Sequence, residues 1–253
     1  MAYYRYVKSY QYRSFSWRPV VPFGLITIGV LLLTWVTWPI LSFKLLKSSV
    51  FLGTVSPLPD LSYLTSDNPK TEVLAAYTQK ETRSTAVGDP YSDPDIWFPA
   101  LPQERDSKDI QEYYLSIPKL KIHNARVIVA GDDLNVSLIH YGGTAMPGEF
   151  GNTIIFGHST LPALFNPKDY HTIFSSLPTL KPQSEDQDGD EIFIKFDGIT
   201  YKYVVIDMVV TAPSDLTPLA QNYDGMYLTL ITCVPPGTYW ERLNIKAKLV
   251  TPQ

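Results

Sequence analysis

The stretch "TLITCVPPGTYWERLNIKAKLV" (residues 229–250) reads as two strands joined by a turn rich in proline and glycine. After the turn, Leu243, Ile245, Ala247 and Leu249 face one way and Asn244, Lys246 and Lys248 the other, the period of two that marks a strand with one buried face. Before it, "MYLTLIT" (226–232) is an apolar run of β-forming residues. If the two strands are antiparallel neighbours, Cys233 at the exit of the first and Arg242 at the entrance of the second reach the same rim of the sheet.

The same pattern extends upstream. "EYYLSI" (112–117), "ARVIVA" (125–130), "NTIIFG" (152–157), "DEIFIKF" (190–196) and "TYKYVVIDMVV" (200–210) are short strands, separated by turn signals such as "GDD", "YGG", "MPGEFG", "FDGIT" and "NYDG". Only "DDLNVSLIHY" (132–141) and "PKDYHTIFSSL" (167–177) read as short helices. So many short strands predict a mainly β domain over 111–253, closed as a barrel or stacked as a sandwich.

Residues 1–18 hold Arg5, Lys8, Arg13 and Arg18 and no acid, and residues 19–43 carry no charge. This second stretch is long and apolar enough to span a bilayer, for which about 20 residues suffice. It is longer than the hydrophobic core of a signal peptide, and no small-residue cleavage pattern follows, so it predicts a retained anchor. More basic residues precede the span than follow it (Lys44 and Lys47), which places residues 1–18 in the cytoplasm and the remainder outside. The chain's net charge is −4, so the part beyond the basic segment is more acidic still, which argues against nucleic acid as a partner. Residues 44–110 read as a linker broken by many prolines, in which "GDPYSDPDIWFPALP" has the turn chemistry and aromatics to pack on the following domain.

Cys233 is the chain's single cysteine. An exported domain uses cysteines in pairs, so an unpaired one is buried and inert, links two chains, or is a reactive thiol. A guanidinium beside it favours the thiolate and can stabilise the oxyanion formed when sulfur attacks a carbonyl. An acid for the leaving group is then required, most often a histidine. His158 follows an apolar strand and a glycine at the start of a loop; His140 is the reserve; His123 and His171 read as structural. There is no H-E-x-x-H motif for a metal.

Taken together, "TLITC" (229–233), "GNTIIFGH" (151–158) and Arg242 resemble the sortases, membrane-anchored cysteine transpeptidases of bacterial surfaces. The similarity runs over about residues 112–250, and "CVPPGTYWERL" is most like the class C, D and E types. The resemblance implies an eight-stranded β-barrel with short helices behind one transmembrane helix, as a single-pass type II protein of the bacterial cell membrane. It implies that Cys233 attacks an LPxTG-like sorting signal near the carboxyl end of an exported protein and forms a thioester. His158 protonates the departing amine, Arg242 holds the substrate backbone or oxyanion, and a cell-wall peptide or a pilin lysine takes the acyl group. Thr232 matches the family threonine that positions substrate; Pro235 and Pro236 read first as closing a turn, with a stiff loop that shapes the substrate groove as the alternative.

Two weaker signals accompany these. Glu185, Asp186, Asp188 and Asp190 offer carboxylates to calcium, which activates some sortases, although a solvated loop is the simpler reading. Asp89-Pro90-Tyr91 looks like the Asp-Pro-aromatic lid of class C sortases, with a proline turn as the plainer account. The rival functions are a thiol peptidase releasing its acyl group to water and a non-catalytic anchored barrel that binds surface proteins.

Overall fold

The alternation seen in the last two strands is carried round a closed barrel. The computed structural model describes residues 20–42, 45, 92–98, 101, 103–104 and 111–252. Its strands are β1 (Glu112–Ile117), β2 (Ile122–Val129), β3 (Leu138–His140), β4 (Gly151–Phe156), β5 (Glu191–Phe196), β6 (Ile199–Thr211), β7 (Met226–Val234) and β8 (Glu241–Pro252). They close in the order β1-β2-β3-β4-β7-β8-β6-β5. β2 with β3 and β4 with β7 run parallel, and the other pairs are antiparallel.

The interior takes one alternate set of side chains from every strand, including Tyr113, Leu115, Val127, Leu138, Ile155, Ile194, Tyr203, Leu228, Leu230, Val234, Leu243, Ile245 and Ala247, all buried. A second apolar cluster lies on the opposite face of β3, β4 and β7: Ile139, Ile154, Phe156, Ile231 and Cys233, packed with Tyr141, Leu134 and Leu219. A strap ahead of the barrel covers this outer face. Its Trp97 and Phe98 are fully buried, and burying such side chains contributes roughly 1.5–3 kcal/mol each. The strap is fastened to the turns on either side of β3. Glu104 N–H donates to Gly142 O at 3.2 Å, Gln103 Nε2 donates to Gly131 O at 2.9 Å, and the Tyr141 hydroxyl donates to Leu101 O.

Neither expected helix forms. Within 132–141 and 167–177 short side chains bond to nearby main chain instead: Asp133 Oδ1 accepts from Asn135 N at 2.9 Å, and Asp169 Oδ1 from His171 N at 3.0 Å. Such local bonds compete with the helical ladder. Leu138–His140, at the end of the first segment, is drawn into the barrel as β3 between β2 and β4. Short 3-10 turns, such as Leu177–Thr179, supply the remaining helical geometry.

Upstream, α1 (Val20–Ser42) is an α-helix apolar on all sides, and the window Val21–Trp38 is long and apolar enough to cross a membrane. Thr27, Thr34 and Thr37 return their hydroxyls to main-chain carbonyls four residues earlier at 2.8–2.9 Å, which satisfies those donors without water. The Asp89-Pro90-Tyr91 reading and most of 44–110 lie outside the described residues.

Candidate active site

β7 and β8 pair in the register that the turn between them imposes, and Cys233 lies directly opposite Arg242. Because side chains alternate along each strand, both project from the outer face, and Arg242 Nη1 sits 3.5 Å from Cys233 Sγ. The guanidinium is also held by main-chain carbonyls of its own loop, Tyr239 O at 3.1 Å and Glu241 O at 3.4 Å. It lies over the Trp97 indole, 5.1 Å from the ring centroid. Arg242 is only 3% exposed, yet among the described residues no carboxylate pairs with it and its Nε has no hydrogen-bond partner. A buried cation without a counterion favours any anion that forms beside it.

His158 reaches the same place along a different route. β4 runs parallel to β7 with Phe156 opposite Ile231. β4 ends at that pair, and beyond it Ser159, the residue after the histidine, donates its hydroxyl to Cys233 O at 2.6 Å, which keeps the His158 segment beside the end of β7. The turn that delivers it needs Gly157, since a Cβ there would lie 2.4 Å from the Phe174 ring and 2.6 Å from Leu138. The Gly-Asn opening of the motif has its own cause. Asn152 accepts from Thr229 Oγ1 at 2.8 Å and donates to Pro218 O at 3.2 Å, which ties β4 to β7 and to the loop before it. The His158 ring is 6.0 Å from Trp97 and 6.3 Å from His171, nearly parallel to the latter.

The structure thus brings Cys233, His158 and Arg242 to one end of the outer face, under the strap. Thr232 is fully buried and, one residue from Cys233, points the opposite way; its hydroxyl donates to Gly157 O at 2.8 Å. Pro235 and Pro236 are buried in the turn, closed by Thr238 N–H donating to Pro235 O at 2.9 Å. His140 is inside the barrel on the other face, with Nδ1 2.8 Å from the Tyr113 hydroxyl and Nε2 3.0 Å from Thr144 Oγ1. Burial lowers its pKa to about 4, partly offset by the Thr144 backbone contact. His123 is exposed on β2. Trp97 and His171 were not singled out as site residues by sequence reasoning. The aromatics of "DPDIWFPALP" were the one available signal for Trp97.

Of the four acids considered for calcium, Asp190 is engaged by Lys119 Nζ and Lys181 N–H, both at 2.6 Å. Among the described residues, no three His, Cys, Asp or Glu side chains gather where they could hold a metal. Glu185, Asp186 and Asp188 stand on the exposed loop beside it.

A closed eight-stranded barrel with a thiol, an imidazole and a guanidinium together at one end defines a sortase-type β-barrel. The Sortase domain family model matches residues 115–250, over half of the chain, and the chain belongs to the sortase family, the cysteine transpeptidases. Three similar solved structures come from different sortase classes. A Clostridium perfringens sortase D5 transpeptidase is 30% identical, with 58% of this chain and 83% of that one covered and a TM-score of 0.46. Sortase A from Corynebacterium diphtheriae is 30% identical, with 58% and 63% covered and a TM-score of 0.47. Sortase C1 from Streptococcus suis is 25% identical, with 55% and 72% covered and a TM-score of 0.46. No curated protein matches the chain.

Proposed function

We propose that this sortase is anchored by α1 with its barrel outside the cell, and that Cys233 cleaves an LPxTG-like sorting signal through a thioester. The observation that carries the reading is the buried Arg242 guanidinium aimed at Cys233 Sγ from 3.5 Å. The guanidinium favours the thiolate before attack and the carbonyl oxyanion during it. His158 donates the proton that lets the amine leave, and an amine from a cell-wall peptide or pilin lysine then displaces sulfur from the acyl group. Thr232, Pro235 and Pro236 contribute by holding main chain, since each is buried. Cys233 is only 2% exposed beneath the strap, so a substrate displaces Trp97 to reach it. Calcium is not needed by this scheme.

The test is an LPxTG-type peptide library with and without an added amine. Cys233→Ala and His158→Ala abolish transfer, and Arg242→Ala lowers kcat by about 10²–10³, the loss typical of an oxyanion donor. Product whose identity ignores the amine favours a hydrolytic peptidase. Full activity of Cys233→Ala rejects the nucleophile, and no activity on any peptide leaves the binding-only barrel.

A further inference from the structure

At the site the sheet stops fixing the histidine. The last β4–β7 pair is Phe156 with Ile231, followed by one bond from Gly157 N–H to Ile231 O at 3.2 Å. β7 continues to Val234 against β8, whereas β4 has ended, so the parallel ladder does not extend to the His158–Cys233 level. Two hydroxyls take its place. Thr232, just before the cysteine, donates to the carbonyl of Gly157, just before the histidine, at 2.8 Å. Ser159, just after the histidine, donates to the carbonyl of Cys233 at 2.6 Å.

We propose that Thr232 and Ser159 form a reciprocal clasp that holds Cys233 against His158, making both positioning residues for acyl transfer. The inference rests on the acyl-transfer reading above and specifies how its geometry is kept. Neither hydroxyl needs to touch substrate, since both are committed to main-chain carbonyls. On its other side the His158 segment is pinned to the 166–176 loop: Phe174 N–H donates to His158 O at 3.0 Å and Thr160 N–H to Ser175 Oγ at 2.8 Å. With the clasp opened, those bonds remain and hold the His158 main chain to that loop rather than to the end of β7, which shifts the imidazole relative to the sulfur. Misplacement of about 1 Å is enough to cost up to about 10²-fold in rate.

The test uses the full chain in detergent and two readouts. One is the pH dependence of Cys233 alkylation by iodoacetamide, followed by intact mass, which needs no substrate. The other is kcat and KM for transfer of an LPxTG-type peptide to hydroxylamine. Ser159→Ala and Thr232→Val each raise the pH of half-maximal alkylation and lower kcat about tenfold, with KM within about twofold. Together they cost little more than either alone, because one clasp is broken in both cases. Ser159→Thr and Thr232→Ser, which keep the hydroxyl, restore both readouts, and a fold defect would not follow that pattern. An unchanged alkylation profile in both single variants, or Thr232→Ser as impaired as Thr232→Val, overturns the clasp. Cys233→Ala separates the two levels: its inactivity beside normal Ser159→Ala and Thr232→Val rejects the clasp alone, while its retained transfer rejects Cys233 as the nucleophile and with it the thioester reading on which the clasp rests.

Discussion

Arg242 is held by two carbonyls of its own loop and by an indole face, so its planar fork, as well as its charge, is fixed. Lysine keeps the charge but cannot make these contacts with a single ammonium. Arg242→Lys therefore retains part of the function: transfer measured as kcat falls about tenfold, less than for Arg242→Ala. A lysine variant no better than alanine would show that charge near the thiol contributes nothing. The pairing of Cys233 with Arg242 was legible in the sequence because a short turn and strict alternation leave little freedom of register between residues 233 and 242. The inward aim of Thr232 follows from the same alternation, yet its acceptor lies on β4, which no local pattern reveals.

Among elements, the strap and the β4 turn decide access and shape. Trp97 packs on Phe156 at 5.5 Å and on the Arg242 guanidinium, over the cluster that contains Cys233. Trp97→Ala removes that cover and leaves a cavity of a kind that costs about 3–5 kcal/mol. Two outcomes are expected together: a lower melting temperature and faster alkylation of Cys233 at neutral pH. Alkylation no faster than in the parent chain would mean that the indole does not limit access. Gly157→Ala places a methyl group against Phe174 and Leu138 and should lower stability and transfer alike, measured by thermal melting and peptide turnover. The strands with strong alternation were readable within a few residues. β3 was not, because its three residues sit in a polar stretch with helical spacing and become a strand only through neighbours on both sides. The two expected helices failed for a related reason, since Asp133, Asn166 and Asp169 cap local turns.

For the molecule as a whole, the buried His140 ties stability to pH. Its pKa is about 4 in the folded barrel against 6.5 when free, so the unfolded chain takes up a proton first as the pH falls. The stability from keeping this ring neutral is complete above about pH 6.5 and is lost progressively down to about pH 4, on the order of 3 kcal/mol in all. His140→Gln should flatten the fall in melting temperature between pH 7 and 4.5; an unchanged slope would show that the ring is not titrating. The barrel and its family were accessible from three spaced motifs, whereas the strap's seat on the outer face depends on contacts between residues far apart in sequence, from Gln103 with Gly131 to Trp97 with Arg242, beyond any local pattern. The central claim is covalent catalysis at Cys233, and intact-mass analysis of the full chain during turnover of a processed sorting peptide tests it most directly. The account predicts a transient adduct on Cys233 with the mass of the peptide's amino-terminal acyl fragment, discharged faster when an amine is added. Turnover that proceeds with no such adduct, or unchanged in Cys233→Ala, would contradict it.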